Sequence, residues 1–427
     1  MNSTIIKKYN FFKDYNFIYL IFLSFCLGSF FINLSTFVCL IIFVIRYKII
    51  KIYINQFKFL FNSLLFFWII FLISTIINDP SNINLIFKSF AYVRFIILSF
   101  VIIYMMNKID KKKFIIFINL IIITLILDIF FQFYFKIDFF GYRLEELGNP
   151  NMDRISGFFG NELIAGTYLS LFGFLTLFLT KEFNFFVKNN YIFFIYLILL
   201  ISAAIITGDR VVILFIFGII FFNFIFNYHM RKYFLIIFLI FGLIGTIIIK
   251  NVDKLSDRYI DNFDPVIETK NSTSSSLKGI INSPWVSHYL VSWEMIKEKP
   301  FLGFGNRGFR TYCNQYIDRE KLSSYKKKCT SHPHNTYFEI LVETGTIGLV
   351  IFILINLNIL IKVLKKKDQT IYLVYSIIFT ILNPLRPSGS FFTTWNSGIF
   401  WTILGILLYF IIYNKNYIKN QSDNRHL

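Results

Sequence analysis

Charged residues are scarce in this sequence. They make up 16% of its 427 residues, against roughly 25% in soluble domains, which argues against an ordinary water-soluble enzyme. Proline is rarer still, at eight residues, and histidine numbers five. Of the four cysteines, no two stand at the close spacing of a zinc site. Asp-x-Asp, the pattern expected where a divalent cation holds a sugar diphosphate, occurs nowhere. No metal and no other cofactor is therefore expected. No small-residue cleavage site follows the first apolar run, so a cleavable signal peptide is not expected either.

What is abundant is apolar. Hydrophobic residues make up 56% and aromatic ones 20%. Apolar runs of about 17 or more residues recur from end to end, each long enough to span a bilayer core of roughly 30 Å. The expected fold is all-α, a polytopic membrane protein with about twelve transmembrane helices and a long, mainly helical periplasmic loop between the ninth and tenth. The spans fall near 17–33, 34–45, 59–77, 84–106, 114–135, 161–180, 191–207, 211–228, 233–249, 336–361, 370–385 and 397–413. The first pair reads either as one long helix or as a short hairpin around Asn33. The chain thus divides into helices 1–9 over 1–249, the loop over 250–335, helices 10–12 over 336–413 and a cytoplasmic tail over 414–427.

The formal charge of +19 raises nucleic acid as a partner, but its placement argues against one. The lysines cluster between apolar runs, as at 108–113 and 365–367, which is how positive-inside topology looks. With the N-terminus inside, the inner segments hold 22 Lys and Arg and the short outer loops hold 5. Both termini are then cytoplasmic and segment 250–335 is external; its own 14 basic residues count little, because long loops translocate largely regardless of charge.

Folded, non-membrane structure has room in that outer segment. Asn271 to Ser276 reads as a linker. Trp285 to Lys299 is helix-like, and Pro300 ends it ahead of a turn-rich Gly303-Phe-Gly-Asn-Arg-Gly-Phe-Arg310. Cys313 and Cys329 enclose fifteen residues. In an oxidising compartment a disulfide between them is expected, worth about 3 kcal/mol in the chain-entropy model. Cys26 and Cys39 lie in spans and read as inert small residues.

Ionisable groups at membrane depth are functional candidates by default. Arg94 and Asp128 lie at similar depths in the fourth and fifth spans. They read either as a buried ion pair or, more sharply, as an Arg94 that faces an anionic substrate. Thr207-Gly-Asp-Arg210 is a tight outer turn that sets Arg210 at headgroup level, where a planar fork of donors suits a phosphate. The plainer alternative is an interfacial arginine paired with Asp209. Arg154-Ile-Ser-Gly-Phe-Phe-Gly-Asn-Glu162 is a second outer loop entering a span, and its glycines permit close approach of backbone to a ligand.

His332-Pro-His334-Asn335 is the strongest local signal. It joins the long polar segment to an apolar run, and an imidazole there suits a general base. Helix capping and metal binding are the rivals. Glu339 and Glu343 follow on one helical face, and Gly345 with Gly348 reads as a small-residue surface for close helix packing.

His334-Asn335, nine residues, then Gly345-x-x-Gly348 resembles the signature of the O-antigen ligase and O-antigen polymerase superfamily. The Arg94 span, the Arg154 loop, Gly208-Asp209-Arg210 and Pro300-Phe-Leu-Gly-Phe-Gly-Asn306 follow in the family's order. Asp209 stands where that family more usually has Ser. The resemblance implies a metal-independent, inverting glycosyltransferase of lipopolysaccharide or polysaccharide biosynthesis, multi-pass in the bacterial inner membrane, with a periplasmic active site. It implies a glycan donor linked to undecaprenyl pyrophosphate, and as acceptor either lipid A-core (ligase) or a second lipid-linked repeat unit (polymerase). By the same resemblance His334 is the base, and His332 or Asn335 orients it. Arg210 and Arg154 are candidate pyrophosphate ligands, and Arg307, Arg310, Arg258 and His288 compete to supply a further one. Membrane lipids are the other expected partners. A non-enzymatic flippase for the same lipid-linked glycans is the main alternative, and a transferase using polyprenyl-monophosphate sugars a third. The latter usually carries paired carboxylates in its first outer loop, and the stretch around Asn33 has none.

Overall fold

The structure, a computed structural model, describes residues 13–143, 154–183, 190–228, 231–252, 255–256, 259, 284–317 and 329–413. Arg258 and the 271–276 linker lie outside these. Among the described residues the chain is helical with no strand, only an isolated bridge between Ile137 and Arg143. The apolar runs form the helices, and short polar residues between them supply their caps. Asn82 accepts from Leu85 N, Asp110 from Lys112 N and Lys113 N, and Asp368 from Thr370 N and Ile371 N. Each satisfies donors that a helix start leaves open.

In chain order the first helices are α1 (Phe17–Leu27), α2 (Ser29–Ile45), α3 (Tyr47–Gln56), α4 (Lys58–Asn78), α5 (Ile83–Ala91), α6 (Val93–Lys108) and α7 (Lys111–Phe135). Next come α8 (Ala165–Tyr168), a π turn over Leu169–Gly173, α9 (Phe174–Glu182), α10 (Asn190–Ile206), α11 (Val211–Phe226) and α12 (Arg231–Asn251). The outer segment contributes α13 (Pro284–Glu298) and α14 (Gly308–Tyr312), and the last helices are α15 (Thr336–Lys366), α16 (Gln369–Ile381) and α17 (Thr394–Ile412). Every expected span has a helical counterpart. Among the described residues six helical stretches are long and apolar enough to cross a membrane, with α5 and α6 counted as one, or seven if the 95° bend between α2 and α3 lies within one span.

Burial sorts these helices into a centre and a rim. α6 and α17 are buried almost all round and pack together, as expected of helices with no polar face. α12 buries only Phe234 and Ile237 among its side chains and leaves leucines such as Leu239 and Leu243 outward. The first hairpin turns at Gly28, not at Asn33, and Ser35 Oγ donates to Ser24 Oγ (3.2 Å) across it. Asn33 falls inside α2, where its amide oxygen accepts from Arg94 Nη2 (2.8 Å). The expected Arg94–Asp128 ion pair does not form. Asp128 instead accepts from Phe139 N at 2.7 Å. Equal depth in two spans does not make them neighbours on facing sides.

The outer segment is built into the bundle by one backbone interlock. α15 breaks at Gly345, which takes φ +68°. Residues 300–305 enter that break. Thr346 N donates to Pro300 O (2.7 Å), Phe304 N to Val342 O (2.7 Å) and Gly305 N to Glu343 O (2.9 Å). α4 closes the joint, with Ser74 Oγ donating to Glu343 O (2.9 Å) and Asn78 Nδ2 to Gly303 O (2.9 Å). Gly345 thus packs against a loop backbone, and the three atoms nearest a Cβ on Gly348 all belong to Thr344 of its own helix. The spacing of small residues is the same for both uses, which is why sequence alone misleads here. Cys313 and Cys329 are joined in a disulfide, with Cα atoms 5.9 Å apart.

A Cβ on Gly345 would lie 2.0 Å from Phe301 O and 2.5 Å from Leu302 N, in a backbone conformation that disfavours side chains. Gly345→Ala is expected to cost about 3 kcal/mol or more, read as a large fall in thermal stability in detergent. Gly242→Ala in α12, where no atom lies within 4 Å of the added carbon, is expected to leave stability unchanged. Equal behaviour of the two variants would refute the interlock.

Candidate functional site

Four connecting segments converge at one end of the buried helices. The loop after α7 is tied to the α10–α11 turn by Ile155 N donating to Thr207 O (3.1 Å). The α16–α17 connection is tied to the residues before α15 by Ser388 N donating to His334 O (2.9 Å). Between them lies a cavity of about 830 Å³. Its walls include Arg154, Asp209, His332, His334, Arg386 and Trp395, with the α1–α2 turn at Gly28 on another side.

His334 stands at φ +57°, uncommon for a residue other than glycine and held only where its surroundings fix it. They do so on both sides. Asn335 caps α15 by accepting from Tyr337 N (2.9 Å) and Phe338 N (3.2 Å), and its Nδ2 donates to Pro384 O (2.7 Å). On the other side Ser388 N donates to His334 O (2.9 Å). A neutral imidazole carries its proton on one ring nitrogen and keeps the other as an acceptor. Burial holds this imidazole below the ordinary histidine value, which keeps the free-base form dominant at neutral pH.

His332 has a different part. Its Nε2 faces Ser388 O at 3.0 Å and its Nδ1 faces Ser331 Oγ at 2.8 Å. The carbonyl fixes the proton on Nε2, and the hydroxyl then donates to Nδ1. Both nitrogens are occupied. Burial, with His334, His288 and Arg310 nearby, lowers its pKa to about 4. His332 is thus a neutral wall against the His334 ring, 4.2 Å away between centroids, and His288 packs against that ring at 5.4 Å. Among the described residues no three His, Cys, Asp or Glu are grouped to hold a metal ion.

The cationic side of the cavity differs from the expected set. Arg154 is in its wall, donating from Nη2 to Leu163 O (2.7 Å), with Asp209 Oδ2 3.5 Å from the same nitrogen. Asp209 also accepts from Thr167 Oγ1 (2.9 Å). The aspartate thus faces Arg154, where pairing with Arg210 was the plain expectation. Arg210 begins α11 and lines neither this cavity nor the next. Arg310 lies near enough to His332 to depress its pKa but lines neither cavity. Asn335 serves as a helix cap, and His288 as a ring packed on His334.

Arg307 lines a second cavity of about 850 Å³ together with Arg94, Lys88 and Asn306. Phe71, Phe87, Phe95 and Phe392 give it aromatic walls, and Ser29 and Trp395 are common to both cavities. Phe392 stacks on Phe71 with ring centroids 4.3 Å apart. Two buried carboxylates flank the site from α15. Glu339 accepts from Ser390 Oγ and Phe391 N (2.7 Å), and Glu343 sits beside Arg307.

Sequence reasoning missed Arg386, which entered only the charge tally of the outer loops. Its surroundings were the available signal, because Pro384-Leu-Arg386-Pro387 is a stiff connection between two apolar helices. In the structure Arg386 is 9% exposed, with its guanidinium 4.7 Å from the Phe215 ring centroid and Nη2 donating to Ile381 O (2.9 Å). Burial lowers its pKa to about 10, against a smaller opposing pull from Asp209.

Residues 195–353 match the family model described as O-antigen ligase. No curated protein matches the chain. The matched stretch contains Arg210, α11, α12, the outer helices α13 and α14, His332, His334 and the Gly345 break. The match supports placing this chain in the O-antigen ligase and polymerase superfamily, through the region that carries His334.

Proposed function

We propose that this chain is a membrane glycosyltransferase that moves a glycan from a polyprenyl pyrophosphate carrier to an acceptor hydroxyl at the outer membrane face. The observation that carries the reading is His334, a neutral imidazole in the wall of an outer cavity that also contains Arg154. In the transfer, the free nitrogen of His334 takes the proton of the acceptor hydroxyl as its oxygen attacks the anomeric carbon. The bond from that carbon to the pyrophosphate oxygen breaks, and the pyrophosphate leaves with the electron pair. Attack from the face opposite the leaving group inverts the anomeric configuration. Fixed cations offset the charge that builds on the leaving oxygen. Two adjoining cavities, one with imidazoles and the other basic with aromatic walls, fit the two amphiphilic substrates that such a transfer needs.

His334→Ala is expected to lower transfer by about 100-fold or more, with the protein still folded by size-exclusion chromatography. Full activity in that variant would remove His334 from the chemistry. Because burial lowers the His334 pKa, the basic form persists to more acid pH than in an ordinary histidine. The acid limb of kcat/KM is thus expected to have its midpoint below the ordinary histidine value of about 6.5. A midpoint well above that value would contradict the assignment.

The acceptor is tested by deleting the gene and running the surface glycan on a gel. Loss of all glycan from lipid A-core, with carrier-linked polymer accumulating, identifies a ligase. A single repeat unit on the core identifies a polymerase. An unchanged glycan would contradict both.

A further inference from the structure

Buried arginines are normally paired with a carboxylate, because an unpaired charge loses its hydration without return. Arg386 departs from that pattern. Its contacts are one carbonyl, Ile381 O, and the face of Phe215. Its Nε has no hydrogen-bond partner, and among the described residues no carboxylate lies within ion-pair distance. Arg154, in the same cavity wall, also has an unused Nε.

Among the described residues a single carboxylate acts on both guanidiniums. Asp209 is 3.5 Å from Arg154 Nη2, and its field also reaches Arg386. Two buried or half-buried cations against one carboxylate leave a surplus positive charge in the wall. The imidazoles beside it are neutral at pH 7 and add nothing to that surplus. Glu162, the other carboxylate on the cavity, is exposed at its rim. A surplus of guanidinium with open donors matches a ligand that brings several oxygens and more than one negative charge.

The backbone holds Arg386 in register with His334. Arg386 N donates to Asn383 O (3.1 Å), and two residues later the Ser388 backbone bonds to His334 O and to the His332 ring. One connection therefore carries both the cation and the groups that orient the base.

We propose that Arg386 and Arg154 together bind the pyrophosphate group of the lipid-linked donor in this cavity. The proposal rests on the transferase reading above and deepens it. It adds Arg386, on the α16–α17 connection, to Arg154, which the resemblance already named as a candidate pyrophosphate ligand.

The test uses the full chain in nanodiscs of neutral phosphatidylcholine. Binding of a polyprenyl pyrophosphate is measured for wild type, Arg386→Gln, Arg154→Gln and Arg386→Lys, with Lys51→Gln as a control. Each glutamine variant is expected to weaken binding by about 10-fold or more. Arg386→Lys, which keeps the charge without the fork, is expected to fall between it and wild type, and Lys51→Gln is expected to match wild type. Wild-type affinity in Arg386→Gln overturns the proposal. Should that variant not fold, wild-type affinity in Arg386→Lys overturns it instead. Polyprenyl monophosphate is expected to bind more weakly than the pyrophosphate; equal binding overturns the pyrophosphate assignment. Inorganic pyrophosphate is expected to compete. Displacement of the probe by phosphatidylglycerol in the disc would make this a general lipid-headgroup site and also overturn it. The two readings separate cleanly. Unchanged binding in Arg386→Gln with transfer lost in His334→Ala defeats only this proposal, whereas wild type that neither binds the carrier nor transfers glycan defeats the transferase reading itself.

Discussion

Backbone hydrogen bonding at the membrane boundary is the constraint on which this structure turns. A helix broken where it enters lipid leaves open carbonyls and N–H groups, each costly without a partner. α15 is broken in that way at Gly345, and the open groups at the break are met by the backbone of residues 300–305 and by Ser74. The joint lies about one turn inside the outer end of α4, taking Ser74 and Asn78 as markers. The break therefore separates α15 into an outer stub, residues 336–344, and a membrane-crossing remainder. It also fixes α13 and α14 against that stub, because the 300–305 segment is the chain that joins them.

The stub then organises the site. Asn335 caps it and holds Pro384 O, while Glu339 receives Ser390 and Phe391 from the other end of the same connection. The stub thus grips the α16–α17 connection at two points, and Ser388 lies between them against both His332 and His334. This explains how a histidine is kept at positive φ without a glycine's freedom. It also leaves His332 with both ring nitrogens engaged, one on Ser388 O and the other on Ser331 Oγ.

The helices were legible because an apolar run of membrane length has few alternatives, and polar residues such as Asp110 and Asp368 mark their starts. His334 and Arg154 stood out in the sequence as ionisable groups of so apolar a chain, and the structure places both in the wall of one cavity. What was not legible concerns partners. Gly345-x-x-Gly348 has the spacing of a helix-packing surface, yet the partner of Gly345 is a loop backbone 43 and 44 residues upstream, as Leu302 and Phe301 touching Gly345 show. Arg94 and Asp128 match in depth, but α2 brings Asn33 to Arg94, and Phe139 turns back onto Asp128. Depth along a helix is a sequence property; the direction a side chain faces is set by packing.

The same distinction explains why Arg386 stayed hidden while Arg210 drew notice. Arg210 sits in a tight turn and looks accessible from sequence, whereas Arg386 lies between prolines in a connection that looks like mere topology. In the structure Arg386 is buried and Arg210 only partly so. A guanidinium in water interacts with a phosphate through a high dielectric, but one enclosed beside Phe215 and Ile381 O is screened far less. The energetic cost of holding a charge there also falls when an anion arrives, so the free site is poised for a ligand of opposite sign. Since the Ser388 contacts that orient His334 lie two residues further along, occupancy at Arg386 and orientation of the imidazole are properties of one rigid segment. In this arrangement Arg386 and the His334 imidazole belong to segments held by the same few bonds to the α15 stub.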